Sequence, residues 1–130
     1  MLFTMKKTCD KTGMNYETLK YYCNEGLVPN VKRDKNNRRV FDEKDVAWIK
    51  DLSCLKRCNL SIAEMKAYLE DCLKGPSSIP ARQKFLEQKR KLLLEEIERL
   101  NDSVAYIDWK QKFYNNVQSG KIFYKSNLIK

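Results

Sequence analysis

The chain has 130 residues, and 26 Lys and Arg residues against 17 Asp and Glu residues give it a formal net charge of +9. Because the sequence contains no histidine, it excludes Ser-His-Asp and Cys-His catalytic pairs, HExxH zinc sites and Cys2His2 fingers. The four glycines are too scattered for a phosphate-binding loop. We therefore expect no enzyme activity, no cofactor and no bound metal.

The basic composition and the cysteine count predict the cellular setting. A pI of about 9.3 favours polyanionic partners, of which nucleic acid is the commonest. No apolar run approaches the roughly 18 residues of a membrane span, and the first residues lack the order of a signal peptide. Five cysteines, an odd number, fit reduced thiols. The prediction is a cytoplasmic protein without membrane contact.

The first 26 residues predict a helix-turn-helix. Thr4 is an N-cap for a first helix within residues 3–9. Residues 10–14, with Gly13, form the turn. Asn15 is an N-cap for a second helix that ends near Gly26. The inward face of this second helix includes Leu19, whereas its outward face comprises Tyr16, Glu17, Lys20 and Tyr21. This face predicts a recognition helix for the DNA major groove; the alternative is an ordinary amphipathic surface helix.

A basic hairpin follows the second helix. Apolar residues at both ends of residues 31–41 bracket a polar tip with Asn36-Asn37 at its centre, and Asn tolerates positive φ. Five basic residues stand in this segment against Asp34 alone. The pattern predicts a wing that contacts phosphates, and the alternative is a solvated loop.

Two more helices form a predicted connector. Asp42 is the N-cap of a helix over about residues 43–57. Ser61 and Glu64 have the spacing of a capping box, and the helix that they open stops at Gly75-Pro76.

The last large element is a helix predicted over about residues 80–117, with Ser77 or Ser78 as its cap. Apolar residues repeat at heptad spacing over four repeats, as a coiled coil requires: Leu86, Leu93, Ile97, Leu100, Val104, Ile107 and Tyr114. A helix of that length, roughly 57 Å at 1.5 Å per residue, needs a partner to bury this seam. An antiparallel homodimer aligns the apolar centre. The alternative is a helix packed on its own domain.

The expected fold is thus mostly α. Its domains are a winged helix-turn-helix with connector helices at 1–75, a dimerisation coiled-coil helix at 76–117 and a short C-terminal tail at 118–130.

This order of elements resembles the MerR family of bacterial transcriptional regulators over about residues 3–117. The residues that match the family, highly specific when taken together at their spacings, are Thr18-Leu19-Lys20-Tyr21-Tyr22, Gly26-Leu27-Val28-Pro29, Arg39-Val40-Phe41, Asp45-Val46 and Leu60-Ser61-Ile62-Ala63-Glu64-Met65-Lys66. The resemblance implies a homodimer on a pseudo-palindromic promoter. Family activators bend and untwist an over-long spacer so that RNA polymerase can use both promoter elements.

The resemblance also implies a set of DNA contacts. Four residues match family DNA-contacting positions: Lys20, Tyr21, Tyr22 and Arg39. Lys56 matches a phosphate-contacting position, while Tyr16 and Glu17 sit where base edges would be read. The predicted DNA-binding set is completed by Thr4, Asn15 and Arg38.

Cys54 is the candidate sensor. Its surrounding segment, 46–55, resembles a subgroup of short MerR proteins in which a cysteine of the third helix responds to aldehydes or other electrophiles. On a helix, Cys54 shares a face with Lys50 and Arg57, which favour the reactive thiolate. The alternative is an inert, half-buried thiol, and Cys9, Cys23 and Cys72 are expected to pack as small apolar residues.

Two further functions stay open from the sequence. One is a coiled-coil interaction protein whose winged module binds a protein partner, which salt-insensitive binding would indicate. The other is a DNA-bending accessory factor without a sensor, which unchanged regulation by a Cys54→Ser variant would indicate. The sequence does not name the operator, the target genes, the effector, the direction of regulation or the role of the tail.

Overall fold

The chain is mostly helical and carries one small sheet. The computed structural model describes residues Met1–Ile129. In chain order its elements are β1 (Phe3–Thr4), α1 (Met5–Thr12), α2 (Tyr16–Asn24), β2 (Lys32–Arg33), β3 (Arg39–Phe41), α3 (Glu43–Arg57), α4 (Ile62–Leu73), a 3-10 turn (Gly75–Ser78) and α5 (Ile79–Gln118). The expected mostly α fold is confirmed.

Helices α1 and α2 form the predicted helix-turn-helix. The Thr4 side chain accepts a hydrogen bond from the backbone N–H of Lys7 at 3.1 Å, and the Asn15 side chain accepts one from Thr18 at 2.8 Å. Gly13 adopts φ 75°, a left-handed conformation that glycine reaches without a Cβ penalty. The first helix extends to Thr12 and not only to residue 9, so the turn is shorter than the sequence indicated.

The sheet has the order β1-β3-β2, and both pairings are antiparallel. Strands β2 and β3 make the predicted hairpin, with Asn37 at φ 59° in its tip. Strand β1 was not predicted. It lasts only two residues and pairs Phe3 with Phe41, far along the chain, so no local sequence pattern marks it.

Both connector helices begin at reciprocal caps. The Asp42 carboxylate accepts from the Asp45 N–H, while the Asp45 carboxylate accepts from the Asp42 N–H. Ser61 and Glu64 make the same exchange at the start of α4, as their spacing predicted. These caps fix where the two helices start.

The core of the first compact unit joins α2 to α3 and α4. Its buried residues are Met14, Leu19, Tyr22, Leu27, Val28, Phe41, Ile49, Leu52, Leu55, Leu60 and Met65. The Trp48 indole N–H donates to the Leu27 carbonyl at 2.7 Å, which satisfies its polar atom at the core edge.

Helix α5 follows the 3-10 turn without a serine cap. The Ser77 hydroxyl donates to the Lys74 carbonyl, and the Ser78 hydroxyl donates to the Asp71 and Gly75 carbonyls. The expected cap at Ser77 or Ser78 is therefore wrong, because both hydroxyls bond backward to carbonyls.

Two compact units divide the chain between Lys89 and Arg90, so the first residues of α5 belong to the first unit. The domain division expected at residues 75 and 117 stays a prediction. Among residues 1–129, no helix is long and apolar enough to cross a membrane.

The cap at Asp42 predicts a pH-dependent stability. Its hydrogen bonds with the Asp45 N–H and Lys32 lower the pKa of Asp42 to about 2. A carboxyl group with a lowered folded-state pKa stabilises the fold above its unfolded value, and this stabilisation disappears as the pH falls toward 2. We expect Asp42→Asn, which keeps a good cap but loses the charge, to lower the urea midpoint at pH 7.

The difference in urea midpoint between the wild type and Asp42→Asn should stay constant from pH 7 to pH 5 and shrink below about pH 4. A difference that grows on acidification would contradict the assigned lowering of the Asp42 pKa.

Candidate nucleic-acid interface

Helix α2 presents a polar and aromatic face to solvent. Tyr16 is 52% exposed and Tyr21 is 48% exposed, and Glu17 and Lys20 are exposed beside them. Leu19 is fully buried on the opposite side. The outward face expected from the sequence is therefore present in the folded chain.

A concave surface, which we call the wing groove, lies between the start of α1, Tyr16 and the hairpin. It encloses about 510 Å³ and is lined by Thr4, Met5, Lys6, Tyr16, Arg33, Asp34, Asn37, Arg38 and Arg39. Four predicted DNA-binding residues meet here: Thr4, Tyr16, Arg38 and Arg39. Sequence reasoning missed Lys6 and Arg33 as members, although Arg33 belongs to the basic cluster of the hairpin.

Hydrogen bonds order the hairpin before any ligand binds. The Asp34 carboxylate accepts from the backbone N–H groups of Asn36 and Arg38, both at 2.9 Å. The Arg33 guanidinium donates to the Asn37 carbonyl at 3.0 Å, and the Arg39 guanidinium donates to the Asn24 side chain in α2. Arg39 thus links the hairpin to the end of α2.

One basic residue of the hairpin has a structural task. The Lys32 ammonium group donates to Asp42 at 2.9 Å, to the Asn30 carbonyl at 3.0 Å and to Asp45 at 3.4 Å. The hydrogen bond to Asp42 is the main reason why the pKa of Lys32 is raised. Lys32 therefore holds the base of the wing to α3.

A second concave surface, the helix groove, lies on the other side of α2. It encloses about 330 Å³, and its lining includes Tyr21, Tyr22, Lys56 and Ser61. Lys56 is exposed in the last turn of α3. The ten predicted DNA-binding residues thus occupy the caps, the two grooves and the exposed face of α2.

Tyr22 differs in burial from the other predicted DNA-binding residues of α2. Its side chain is only 2% exposed and belongs to the core, because α2 needs it to fill its inner face. Its hydroxyl is buried and has no hydrogen-bond partner among the described residues. Burial raises the pKa of Tyr22, so the hydroxyl stays protonated as a donor.

Replacing Tyr22 with Phe separates its core role from a DNA role. Because the buried hydroxyl has no partner, its removal should raise the free energy of unfolding or leave it unchanged, with a gain of up to roughly 1 kcal/mol. We expect Tyr22→Phe to keep the DNA affinity of the wild type, measured by fluorescence anisotropy. Tyr21→Phe, which removes the same hydroxyl group from an exposed tyrosine of α2, is the control. If Tyr22→Phe lost DNA affinity without losing stability, the Tyr22 hydroxyl would instead form a hydrogen bond with DNA.

The five cysteines are free thiols in different surroundings. Cys9 and Cys23 pack against the core, and burial raises the pKa of both thiols. Cys54 is exposed, and Arg57 donates to its sulfur at 3.2 Å.

Cys54 lines a third concave surface, which we call the thiol cleft. Its volume is about 320 Å³, and its lining is Trp48, Asp51, Cys54, Leu55, Tyr68, Cys72 and Arg82. Cys72, which the sequence suggested as a small packing residue, shares this cleft. Within residues 1–129, no cluster of three or more Cys, Asp or Glu side chains is placed to hold a metal ion.

The seam of α5 faces solvent in the single chain. Six of its seven predicted residues are exposed, and Leu93 is half-buried. An apolar row of this size on one helix is typical of an interaction surface.

Known proteins share this architecture. Residues 3–72, more than half of the chain, match the MerR HTH family regulatory protein profile. The chain therefore belongs to the MerR family of transcriptional regulators.

Individual relatives match over most of the chain. An HTH-type transcriptional regulator of Haemophilus influenzae is 32% identical, covering 92% of this chain and 88% of the relative. The regulator AdhR of Bacillus subtilis is 35% identical, covering 64% of this chain and 59% of AdhR.

A solved structure gives the same fold. It shows HiNmlR, a MerR family regulator lacking the sensor domain, bound to promoter DNA. Its TM-score is 0.78 at 32% identity, and the match covers 92% of this chain and 90% of that chain.

Proposed function

We propose that this protein is a homodimeric, sequence-specific DNA-binding regulator of promoters. The observation that supports this most is the basic wing groove beside the exposed face of α2. The similar HiNmlR chain is bound to promoter DNA, and its match covers 92% of this chain. Since promoters lie on the chromosome, the protein acts in the cytoplasm.

The exposed face of α2 is suited to the major groove, which admits one α-helix. Glu17 can accept a hydrogen bond from a cytosine amino group, and Lys20 and Tyr16 can donate to base edges or phosphates. The caps can contribute as well. In both caps the side-chain oxygen accepts a backbone hydrogen bond. The hydroxyl hydrogen of Thr4 and the amide N–H groups of Asn15 can therefore donate to DNA.

The two grooves are suited to the flanking phosphates. Arg33, Arg38 and Lys6 line the wing groove, whereas Lys56 and Tyr21 line the helix groove on the opposite side of α2. Phosphate contacts on both sides of a recognition helix would fix its register without reading sequence.

Removal of one wing charge should lower the salt dependence of DNA binding. Each phosphate neutralised contributes about 0.9 to the slope of the logarithm of the binding constant against the logarithm of the salt concentration. Arg38→Ala removes one charge from each of the two wings of a dimer, so it should reduce the steepness of this slope by about 1.8. The measurement is fluorescence anisotropy on a mixed-sequence duplex across a salt series. Lys112→Ala removes an equal charge from α5 and should leave the slope unchanged; equal slopes for all three proteins would exclude the wing from DNA binding.

We infer that the dimer forms through the seam of α5. An antiparallel pair centred on Leu100 places Leu93 beside Ile107 of the second copy and Leu86 beside its Tyr114. Both ends of the seam then lie opposite apolar residues, and the exposed seam of the single chain becomes buried.

A charge in the seam should separate the copies. Leu100→Glu should give the 15.4 kDa monomer in sedimentation velocity, because the pairing would bury two like charges beside each other. Leu92→Glu introduces the same charge at an exposed leucine outside the seam and should remain dimeric. A dimeric Leu100→Glu protein would rule out the seam as the interface.

On a promoter, the two winged helix-turn-helix domains of the dimer would bind the DNA on either side of the spacer between the promoter elements. Bending and untwisting a site of this size costs on the order of 1–6 kcal/mol, which phosphate contacts by both wings would offset. The distorted spacer would present both promoter elements to RNA polymerase. In this scheme residues 1–75 bind DNA, 76–117 form the coiled coil and 118–130 form a short tail.

We also propose that Cys54 receives an electrophile stress signal. It is exposed, whereas Cys9 and Cys23 are packed against the core. The Arg57 guanidinium donates to its sulfur at 3.2 Å, and a cationic donor at the sulfur is typical of nucleophilic cysteines. Its position on α3 links any adduct to a helix that packs on α2 through the core.

A further inference from the structure

The thiol cleft contains two cysteines, each with an arginine beside it. Cys54 lies on α3 with the Arg57 guanidinium 3.2 Å from its sulfur. Cys72 lies on α4 with the Arg82 guanidinium 3.8 Å from its sulfur. Both sulfur-bearing side chains line one cavity of about 320 Å³. The same pair of groups thus occurs twice, once within α3 and once between α4 and α5.

Arg82 is held in place by its neighbours. Its Nε donates to the Ser78 hydroxyl at 3.0 Å, and its Nη2 donates to the Gly75 carbonyl at 2.7 Å. Ser78 is itself buried, and its hydroxyl bonds to the Gly75 carbonyl of the turn and the Asp71 carbonyl of α4. Two of the three guanidinium nitrogens are thus committed to the protein, and the third, Nη1, is directed at Cys72.

Aromatic side chains form the walls between the two thiols. Trp48 is fixed by its hydrogen bond to the Leu27 carbonyl, and the Tyr68 ring packs against Phe85 with centroids 6.2 Å apart. Asp51 adds a carboxylate at the exposed side of the cleft. A small, flat, conjugated and uncharged molecule suits such walls better than an anion does.

We propose that the thiol cleft takes α,β-unsaturated aldehydes and that Cys72 is the second nucleophile toward them. These molecules have two electrophilic carbons, the β-carbon and the carbonyl carbon, which two thiols can engage together. The inference rests on the proposed electrophile response of Cys54 and names its substrate class. It also distinguishes such aldehydes from electrophiles with one reactive carbon.

The two additions balance without another reactant. The Cys54 sulfur bonds to the β-carbon, the π electron pair of the C=C bond shifts toward the α-carbon, and the α-carbon receives the thiol proton. The Cys72 sulfur then bonds to the carbonyl carbon, and the carbonyl oxygen receives the second thiol proton to form a thiohemiacetal. Nothing is oxidised or reduced, and no group leaves. The Arg82 Nη1 group, 3.8 Å from the Cys72 sulfur, can donate to this oxygen as its charge develops.

The product joins α3 to α4 through three carbons. This bridge is longer than a disulfide bond of about 2.05 Å, so it does not require the two sulfurs to touch. Since α3 and α4 both contribute to the core that supports α2, the bridge restrains the connector on which the recognition helix rests.

Differential alkylation tests this inference. The protein is treated with one equivalent of acrolein or of acrylamide, which has the same reactive alkene but no aldehyde. Residual thiols are then labelled with iodoacetamide and quantified for each cysteine by mass spectrometry. We expect both reagents to modify Cys54, but only acrolein to slow the labelling of Cys72, by at least tenfold. Because acrylamide leaves an adduct of similar size, steric shielding alone would slow Cys72 equally with both reagents.

Variants separate this inference from the proposed function. Cys58→Ser keeps both thiols of the cleft and should behave as the wild type. In Cys72→Ser, the acrolein adduct on Cys54 should keep a free aldehyde and label several-fold faster with a hydrazide probe than in the wild type. If neither reagent modifies Cys54, the proposed electrophile response fails. If both modify Cys54 while acrolein leaves the labelling of Cys72 unchanged, only the two-thiol site is overturned.

Discussion

Helix α2 has nine residues and must serve two surfaces at once. Its inner face, Leu19 and Tyr22, is buried in the core with residues of α3 and α4, and its outer face presents Tyr16 and Tyr21 to solvent. A helix of this length is marginal by itself in water, so the packing of its inner face and its Asn15 cap hold it in shape. The proposed DNA contacts depend on this division of one short helix.

Hydrogen bonds to α2 and α3 fix the position of the hairpin. Arg39 bonds to Asn24 at the end of α2, and Lys32 bonds to Asp42 at the start of α3. The hairpin is therefore attached at its base to both helices, while Arg38 stays exposed in its tip. The thiol cleft is lined by residues of α3, α4 and the first turn of α5. A bond between α3 and α4 would act on the packing that supports α2.

Local chemistry made most of the fold predictable. Caps at Thr4, Asn15, Asp42 and Ser61 have side chains that accept backbone hydrogen bonds, and their sequence signatures placed helix starts correctly. Strand β1 could not be predicted, because its two residues pair across the chain with Phe41. The cap predicted at the serines before α5 was wrong, since a hydroxyl can donate to a carbonyl as readily as it caps a helix.

The candidate site was predictable only in part, for a related reason. Periodicity identified which side of α2 faces outward, but the residue match alone did not show that Tyr22 belongs to the core. Lys6 lines the wing groove because the fold places it there, and no sequence motif marks it. Cys72 looked like a packing residue until α5 brought Arg82 to its sulfur, a contact between positions ten residues apart.

If two copies of this chain read DNA through α2, selection of binding sites from random duplexes should recover a two-fold symmetric sequence. The full-length protein is mixed with a random-sequence library, bound DNA is recovered at physiological salt, and the enriched sequences are read. We expect an inverted repeat with two half-sites, and we expect a Lys20→Ala variant to enrich it less strongly. Enrichment of no sequence, or of one asymmetric site only, would contradict this expectation.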